Sequence, residues 1–156
     1  MIMDATEADG PQIEDIAARI DGFGGERVAA LGAIWEEYLI LGAEDSGYNF
    51  LVDRDGDAIV GFACYGRRDL ADEVYDLYYI AVDPEGRRQG TGRGLLTASE
   101  TAVREAGARM MIAEASGTSK HEPIRELYQA AGYRIEATIK DFYSAGDDLA
   151  VFVKRF

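Results

Sequence analysis

The stretch from Ile80 to Leu96 constrains the fold more than any other part of the chain. It reads Ile80-Ala81-Val82, then Asp83-Pro84-Glu85-Gly86-Arg87-Arg88-Gln89-Gly90-Thr91-Gly92-Arg93-Gly94, then Leu95-Leu96. That is an apolar strand, a basic glycine-rich loop and a helix that starts among the glycines. A helix start presents backbone N–H groups without intrahelical partners, and its dipole favours negative charge there. Gly90, Gly92 and Gly94 carry no Cβ and would let a ligand approach the backbone closely. Arg87, Arg88 and Arg93 place positive charge there, in a chain of formal net charge -13. These features together point to a site for a phosphorylated ligand. The loop is not a P-loop, because no Gly-Lys pair is present. Its Gly90-x-Gly92-x-Gly94 spacing also departs from the G-x-G-x-x-G of dinucleotide folds.

The remaining elements suit one α/β domain spanning residues 1–156. A short strand is expected over Met1 to Ala5. A helix is expected over Pro11 to Ile20, capped by Asp9 or Gly10. The glycines of Gly22-Phe23-Gly24-Gly25 break the chain, and helical spacing resumes from Glu26 to Leu41. Tyr48–Val52 and Ala58–Tyr65 read as a hairpin around Asp53-Arg54-Asp55-Gly56-Asp57. Val74–Val82 is a longer strand. Gly92–Ala106 is a helix with Leu95, Leu96, Ser99, Ala102, Val103 and Ala106 inward, and Arg109–Glu114 is a strand. Pro123 opens a helix carrying Ile124, Leu127, Tyr128 and Ala131. Tyr133–Lys140 and Leu149–Val153 form a last strand pair around a loop from Phe142 to Asp148.

Acidic residues number 29 against 16 basic ones, which disfavours nucleic acid and anionic membrane as partners and favours a cationic small molecule. No apolar run approaches the ~20 residues that span a bilayer. No signal peptide is expected from Met1 to Gly10, so a cytoplasmic location is. The single cysteine, Cys64, sits in the strand-like run Ile59–Tyr65 and reads as a buried structural thiol. One histidine and one cysteine cannot supply the usual ligand sets, so no metal is expected.

Arg87-Arg88-Gln89-Gly90-Thr91-Gly92 resembles the Arg/Gln-x-x-Gly-x-Gly/Ala signature of the GNAT superfamily of N-acetyltransferases. Leu127-Tyr128-Gln129-Ala130-Ala131-Gly132-Tyr133 is similar to a second element of that family, Leu-Tyr-x-x-x-Gly-Phe/Tyr. The resemblance implies a mixed, twisted sheet of about six or seven strands with about four helices and splayed central strands. It implies acetyl-CoA as co-substrate, held by the loop amides of Gly90, Thr91, Gly92, Arg93 and Gly94 and by Arg87, Arg88 and Gln89. Backbone groups of Ile80, Ala81 and Val82 would pair with the pantetheine arm. His121 stands where many relatives have an asparagine that helps hold that arm.

Acetyl transfer from a thioester to an amine needs a proton acceptor for the amine and a proton donor for the leaving thiolate. The resemblance implies Tyr128 as the donor. Asp76 lies four residues before Ile80, on the same strand face by period two, and some relatives carry a glutamate there as base. Glu114 and Glu73 are the alternatives. Phe142 and Tyr143 could wall an acceptor pocket, with Asp147 and Asp148 either attracting a cation or shaping the hairpin. The expected activity is acetyl transfer from acetyl-CoA to a primary amine of a small or amino-acid-like molecule, by direct attack in a ternary complex. A peptide N-terminus or a protein lysine is the alternative acceptor, and a non-catalytic acyl-CoA sensor is the alternative class. A homodimer is compatible with this reading.

Overall fold

The computed structural model describes residues 1–86 and 90–156. In chain order it places β1 (Ile2–Asp4), α1 (Gly10–Arg19), α2 (Gly25–Ser46), β2 (Tyr48–Asp55), β3 (Ala58–Arg67), β4 (Val74–Val82), α3 (Thr91–Glu105), β5 (Met110–Ser116), α4 (Glu122–Ala130), β6 (Arg134–Ser144) and β7 (Asp147–Arg155). The strands form one mixed sheet in the order β1-β2-β3-β4-β5-β7-β6. β4 and β5 are parallel, joined by the crossover through α3, and the other neighbours are antiparallel.

Each face of the sheet carries its own core. On one face α3 and α4 cover Leu51, Ala63, Leu77, Met111, Ala113 and Phe152 with Leu95, Leu96, Val103 and Tyr128. On the other, α1 and α2 cover Phe50, Val52, Phe62 and Cys64 with Ile13, Ile16, Leu31 and Trp35. Trp35 meets Phe50 edge-on with ring centroids 4.9 Å apart. Full burial of such side chains is worth about 1.5–3 kcal/mol each, so these layers supply the main drive to fold. Burial pushes the Cys64 thiol well up, as suits an inert packed sulfur.

Several sequence expectations need adjustment. The helix expected to stop at Leu41 does break there, at non-helical Gly42 with φ 76° and ψ 173°, and a second short helical stretch follows to Ser46. Asp9 occupies the N-cap position of α1, but its side chain makes no capping hydrogen bond. Its carboxylate turns back to the Thr6 backbone N–H and hydroxyl, and also takes Arg54. Ala106 is exposed rather than inward. The expected loop from Phe142 to Asp148 is mostly strand: Ser144 pairs with Asp147, so only Ala145 and Gly146 turn. Gly146 has φ 82°, Asp141 accepts its N–H at 2.7 Å, and Asp148 accepts the N–H of Asp141 at 3.0 Å. Asp148 thus shapes the hairpin. No helix among the described residues is long and apolar enough to cross a membrane.

Candidate active site

The site is built on a strand that loses one neighbour halfway along. β4 pairs with β5 only from Val74 to Leu77, against Met110 to Ala113. Beyond that point β4 runs to Val82 held by β3 alone, and β5 runs to Ser116 held by β7 alone. The two strands therefore part at the centre of the sheet. The parting coincides with a bulge: Tyr65 pairs with Leu77 and Cys64 with Tyr79, so Tyr78 is the extra residue.

The bulge corrects the expectation that Asp76 and Ile80 share a face. One added residue inverts the alternation. Ile80 packs with the α3/α4 core, whereas Asp76 pairs in register with Ile112 and Gly66 on the opposite face. It also sorts the backbone of the open half. The Asp83 N–H donates to the Val60 carbonyl at 2.9 Å, and the register continues through Phe62 with Ala81 and Cys64 with Tyr79. In an antiparallel ladder those alternate pairs carry the hydrogen bonds and the pairs between them do not. Tyr79 and Ala81 therefore direct their backbone groups to β3, and Ile80 and Val82 turn theirs to the open side. Of the three expected backbone contacts, Ala81 is the one facing away.

At the end of the open half stands the start of α3. Gly90 is its N-cap with φ 100°, a conformation that favours glycine. The first intrahelical bond runs from the Gly94 N–H to the Gly90 carbonyl at 2.7 Å. The amides of Thr91, Gly92 and Arg93 precede it and have no intrahelical acceptor. A Cβ on Gly92 would lie 3.5 Å from Val82 and 3.4 Å from Leu127, so the helix start, the end of β4 and α4 converge there. A Cβ on Gly94 would meet Ile2 at 3.0 Å, so its smallness serves packing against β1. Thr91 is buried and its methyl lies against Gly61, leaving only its backbone for a ligand. Arg93 is exposed. Arg87, Arg88 and Gln89 lie outside the described residues. Arg19 clamps Asp83 through two hydrogen bonds, of 2.7 and 3.1 Å, and so ties the end of β4 to α1.

On the α4 side Tyr128 is 4 % exposed, with its ring against Tyr133 and Phe152 at 5.6 and 5.4 Å. Burial, with a smaller push from Tyr143, raises its phenol well above the ordinary value. The phenol thus stays protonated at neutral pH, and the same burial opposes leaving a phenolate behind.

The other side of the parting is the sheet face that α1 and α2 leave uncovered. Asp76 is buried and committed to Arg68: the Nε lies 2.9 and 3.1 Å from its two oxygens, and Nη2 2.9 Å from one of them. Glu114 is exposed on β5 and has no hydrogen-bond or ion-pair partner among the described residues. Its charge acts on Arg68 and on Tyr143 of the β6–β7 hairpin. Glu73, the third carboxylate considered, lies before the start of β4, far from the parting. Asp147 accepts a 2.5 Å hydrogen bond from the Ser116 hydroxyl, which lies 3.0 Å from that of Thr118. The Thr118 hydroxyl in turn lies 2.9 Å from Nδ1 of His121. His121 packs under Gly22 in the α1–α2 connection. It therefore links the turn after β5 to the α1–α2 connection. Burial and then Arg27 hold its pKa below the ordinary value, against the pull of Asp147.

Three residues of this face escaped sequence reasoning: Arg27, Arg68 and Tyr78. Each acts through a partner distant in sequence or through the bulge, and none sits in a local motif. A concavity of about 420 Å³ over Arg67–Asp72 lies at the start of β4, away from the parting.

A parted β4 and β5, with an open helix start at the end of the gap, fits an extended arm terminating in a pyrophosphate. The profile of the acetyltransferase (GNAT) family matches residues 15–133. The chain belongs to the GNAT family of acetyl-CoA-dependent N-acetyltransferases. A GNAT-family structure from Desulfovibrio desulfuricans is 33% identical, covering 99% of this chain and 98% of its own, with a TM-score of 0.94. A Salmonella typhimurium protein solved with its cofactor acetyl-CoA is 20% identical, covering 99% and 92%, with a TM-score of 0.77. The ribosomal-protein-S18-alanine N-acetyltransferase of Escherichia coli is 18% identical, covering 99% and 92%, with a TM-score of 0.80. These two share the GNAT fold with this chain. No curated protein matches it.

Proposed function

We propose that this GNAT protein transfers the acetyl group of acetyl-CoA to the primary amine of a small molecule by direct attack in a ternary complex. The parting of β4 from β5 carries this reading, because it leaves the backbone of Ile80 and Val82 available beside the start of α3. Bound acetyl-CoA supplies an activated thioester. Ile80 and Val82 align the arm by backbone hydrogen bonds, and the amides of Gly90 to Arg93, with Arg87, Arg88 and Gln89, hold the pyrophosphate. Tyr128 donates a proton, or a strong hydrogen bond, to the departing thiolate. Its raised pKa favours a donor that is re-protonated within the same turnover.

The amine must shed a proton before it attacks. Glu114 is the carboxylate proposed to attract the ammonium and accept that proton, directly or through water. Asp76 has its oxygens engaged by Arg68, so its proposed part is to position Arg68. Glu114→Gln should raise KM for the amine more than it lowers kcat, and Asp76→Asn should do less than either change to Glu114 or Tyr128.

The test is thiol release from acetyl-CoA over a panel of small amines, monitored alongside calorimetric binding of acetyl-CoA. Amine-dependent thiol release supports the reading. Tight binding with no release for any amine, including peptide N-termini and lysine peptides, would make the protein a sensor. Release only with peptides would move the acceptor to a macromolecule.

A further inference from the structure

Arg27 is a cation placed on an aromatic ring rather than on a carboxylate. Carboxylates outnumber basic side chains 29 to 16, and Arg19, Arg54 and Arg68 each hold a carboxylate. Arg27 is half-buried in the first turn of α2 and has no carboxylate among the described residues. Its guanidinium instead stacks on the ring of Tyr143, 5.2 Å from the centroid. A cation held over an aromatic face keeps its N–H edges free for an in-plane acceptor.

Glu114 is an exposed carboxylate with no hydrogen-bond or ion-pair partner among the described residues, on the sheet face opposite its core-packed neighbours Ala113 and Ala115. The Tyr143 phenol feels Arg27, Glu114 and Asp147 together. Asp147 is already engaged by Ser116. A positive and a negative group thus flank one aromatic side chain, and the two do not pair with each other. Held apart, they complement a ligand that carries both signs.

We infer that the acceptor is a zwitterion, a free amino acid or close analogue, whose carboxylate is read by Arg27 while its ammonium faces Glu114. Arg27 is then a specificity-determining residue. This rests on the acetyltransferase reading above and narrows it. A peptide N-terminus and a simple alkylamine lack the carboxylate next to the amine, so both are disfavoured acceptors.

The experiment uses the full chain with acetyl-CoA and matched acceptors: free L-amino acids, the corresponding amino-acid amides, and the corresponding decarboxylated amines. Thiol release gives kcat/KM for each. The best amino acid should exceed its own amide by about 10- to 100-fold, the range for a hydrogen bond to a charged group. Arg27→Gln should bring that ratio close to one, and Arg27→Lys should keep part of it, as a point charge without the fork. Melting curves of the variants report whether the fold is kept. A ratio of one in the wild type, or a ratio unchanged by Arg27→Gln, overturns the inference. So does activity confined to amides, amines or peptides, which would leave the acetyltransferase reading standing. Acetyl-CoA binding with no turnover in any arm overturns both.

Discussion

The two halves of β4 do opposite things with the same backbone. From Val74 to Leu77 the strand is bonded to β3 on one side and to β5 on the other. From Tyr78 to Val82 it is bonded to β3 alone. The first half is closed structure, with Val74 and Leu77 buried. The second half leaves every other residue's donor and acceptor unspent at the centre of a sheet, where such groups are ordinarily paired. The cost of opening the ladder is offset when a ligand completes it. A binding surface can thus arise from withheld strand pairing, with no change in residue type.

The largest effect is expected at Tyr128. Tyr128→Phe removes one hydroxyl and keeps the ring that packs on Tyr133 and Phe152. Turnover should fall about 10²- to 10⁴-fold if that hydroxyl protonates the leaving thiolate, with acetyl-CoA affinity hardly changed. Steady-state kinetics and calorimetry check both. Wild-type turnover would assign the proton to water or another side chain.

The closed half should respond in stability instead. Leu77→Ala deletes a buried side chain from the α3/α4 core, and should cost about 2–5 kcal/mol in denaturant unfolding. Coenzyme A affinity of the fraction that stays folded should be preserved. A large loss of affinity without loss of stability would erase the distinction between the halves.

A proline pair separates neighbours within the open half. Proline at 81 removes an N–H that serves β3, whereas proline at 82 removes one that faces the gap. Ala81→Pro should lower the melting temperature. Val82→Pro should largely keep it and weaken acetyl-CoA binding about 3- to 10-fold, the worth of one hydrogen bond. Equal destabilisation by both would mean that the alternation is assigned wrongly.

The smallest effect is expected where the open half ends. The Arg19 guanidinium beside Asp83 holds its carboxyl below the ordinary value, against a lesser opposing effect of burial. A carboxyl with a lowered folded-state pKa stabilises above its unfolded pKa and loses that contribution as pH falls through the folded value. Asp83→Asn should therefore reduce stability modestly at neutral pH and converge with the wild type in acid. Paired thermal melts from pH 7 downward would show the curves meeting.

Much of this arrangement was legible in the residues. The limits of β4 were read as found, Val74 to Val82, because its run of apolar and aromatic residues is long and bounded by Glu73 and Asp83-Pro84. The helix start was legible to within one residue, expected at Gly92 and found at Thr91, from its glycines and the apolar pair behind them. The bulge was not, since Leu77-Tyr78-Tyr79-Ile80 offers no polar alternation or glycine to mark a slip. That one residue placed Asp76 on the wrong face relative to Ile80. The β6–β7 strand pair was legible, but its tip reads as a loop because Ser144-Ala145-Gly146-Asp147-Asp148 has turn composition throughout, and only the cross-strand register confines the turn to Ala145 and Gly146. The partners of Arg27 and Arg68 depend on tertiary contact and left no local trace.

Backbone amide hydrogen exchange, resolved by residue in the free protein and with saturating coenzyme A, addresses the central claim most directly. The amides of Tyr79 and Ala81 should be protected in both states, because they serve β3. Those of Ile80 and Val82 should exchange readily in the free protein and become protected when coenzyme A is bound. Protection of Ile80 and Val82 in the free protein, or exchange there that saturating coenzyme A leaves unchanged, would contradict the account.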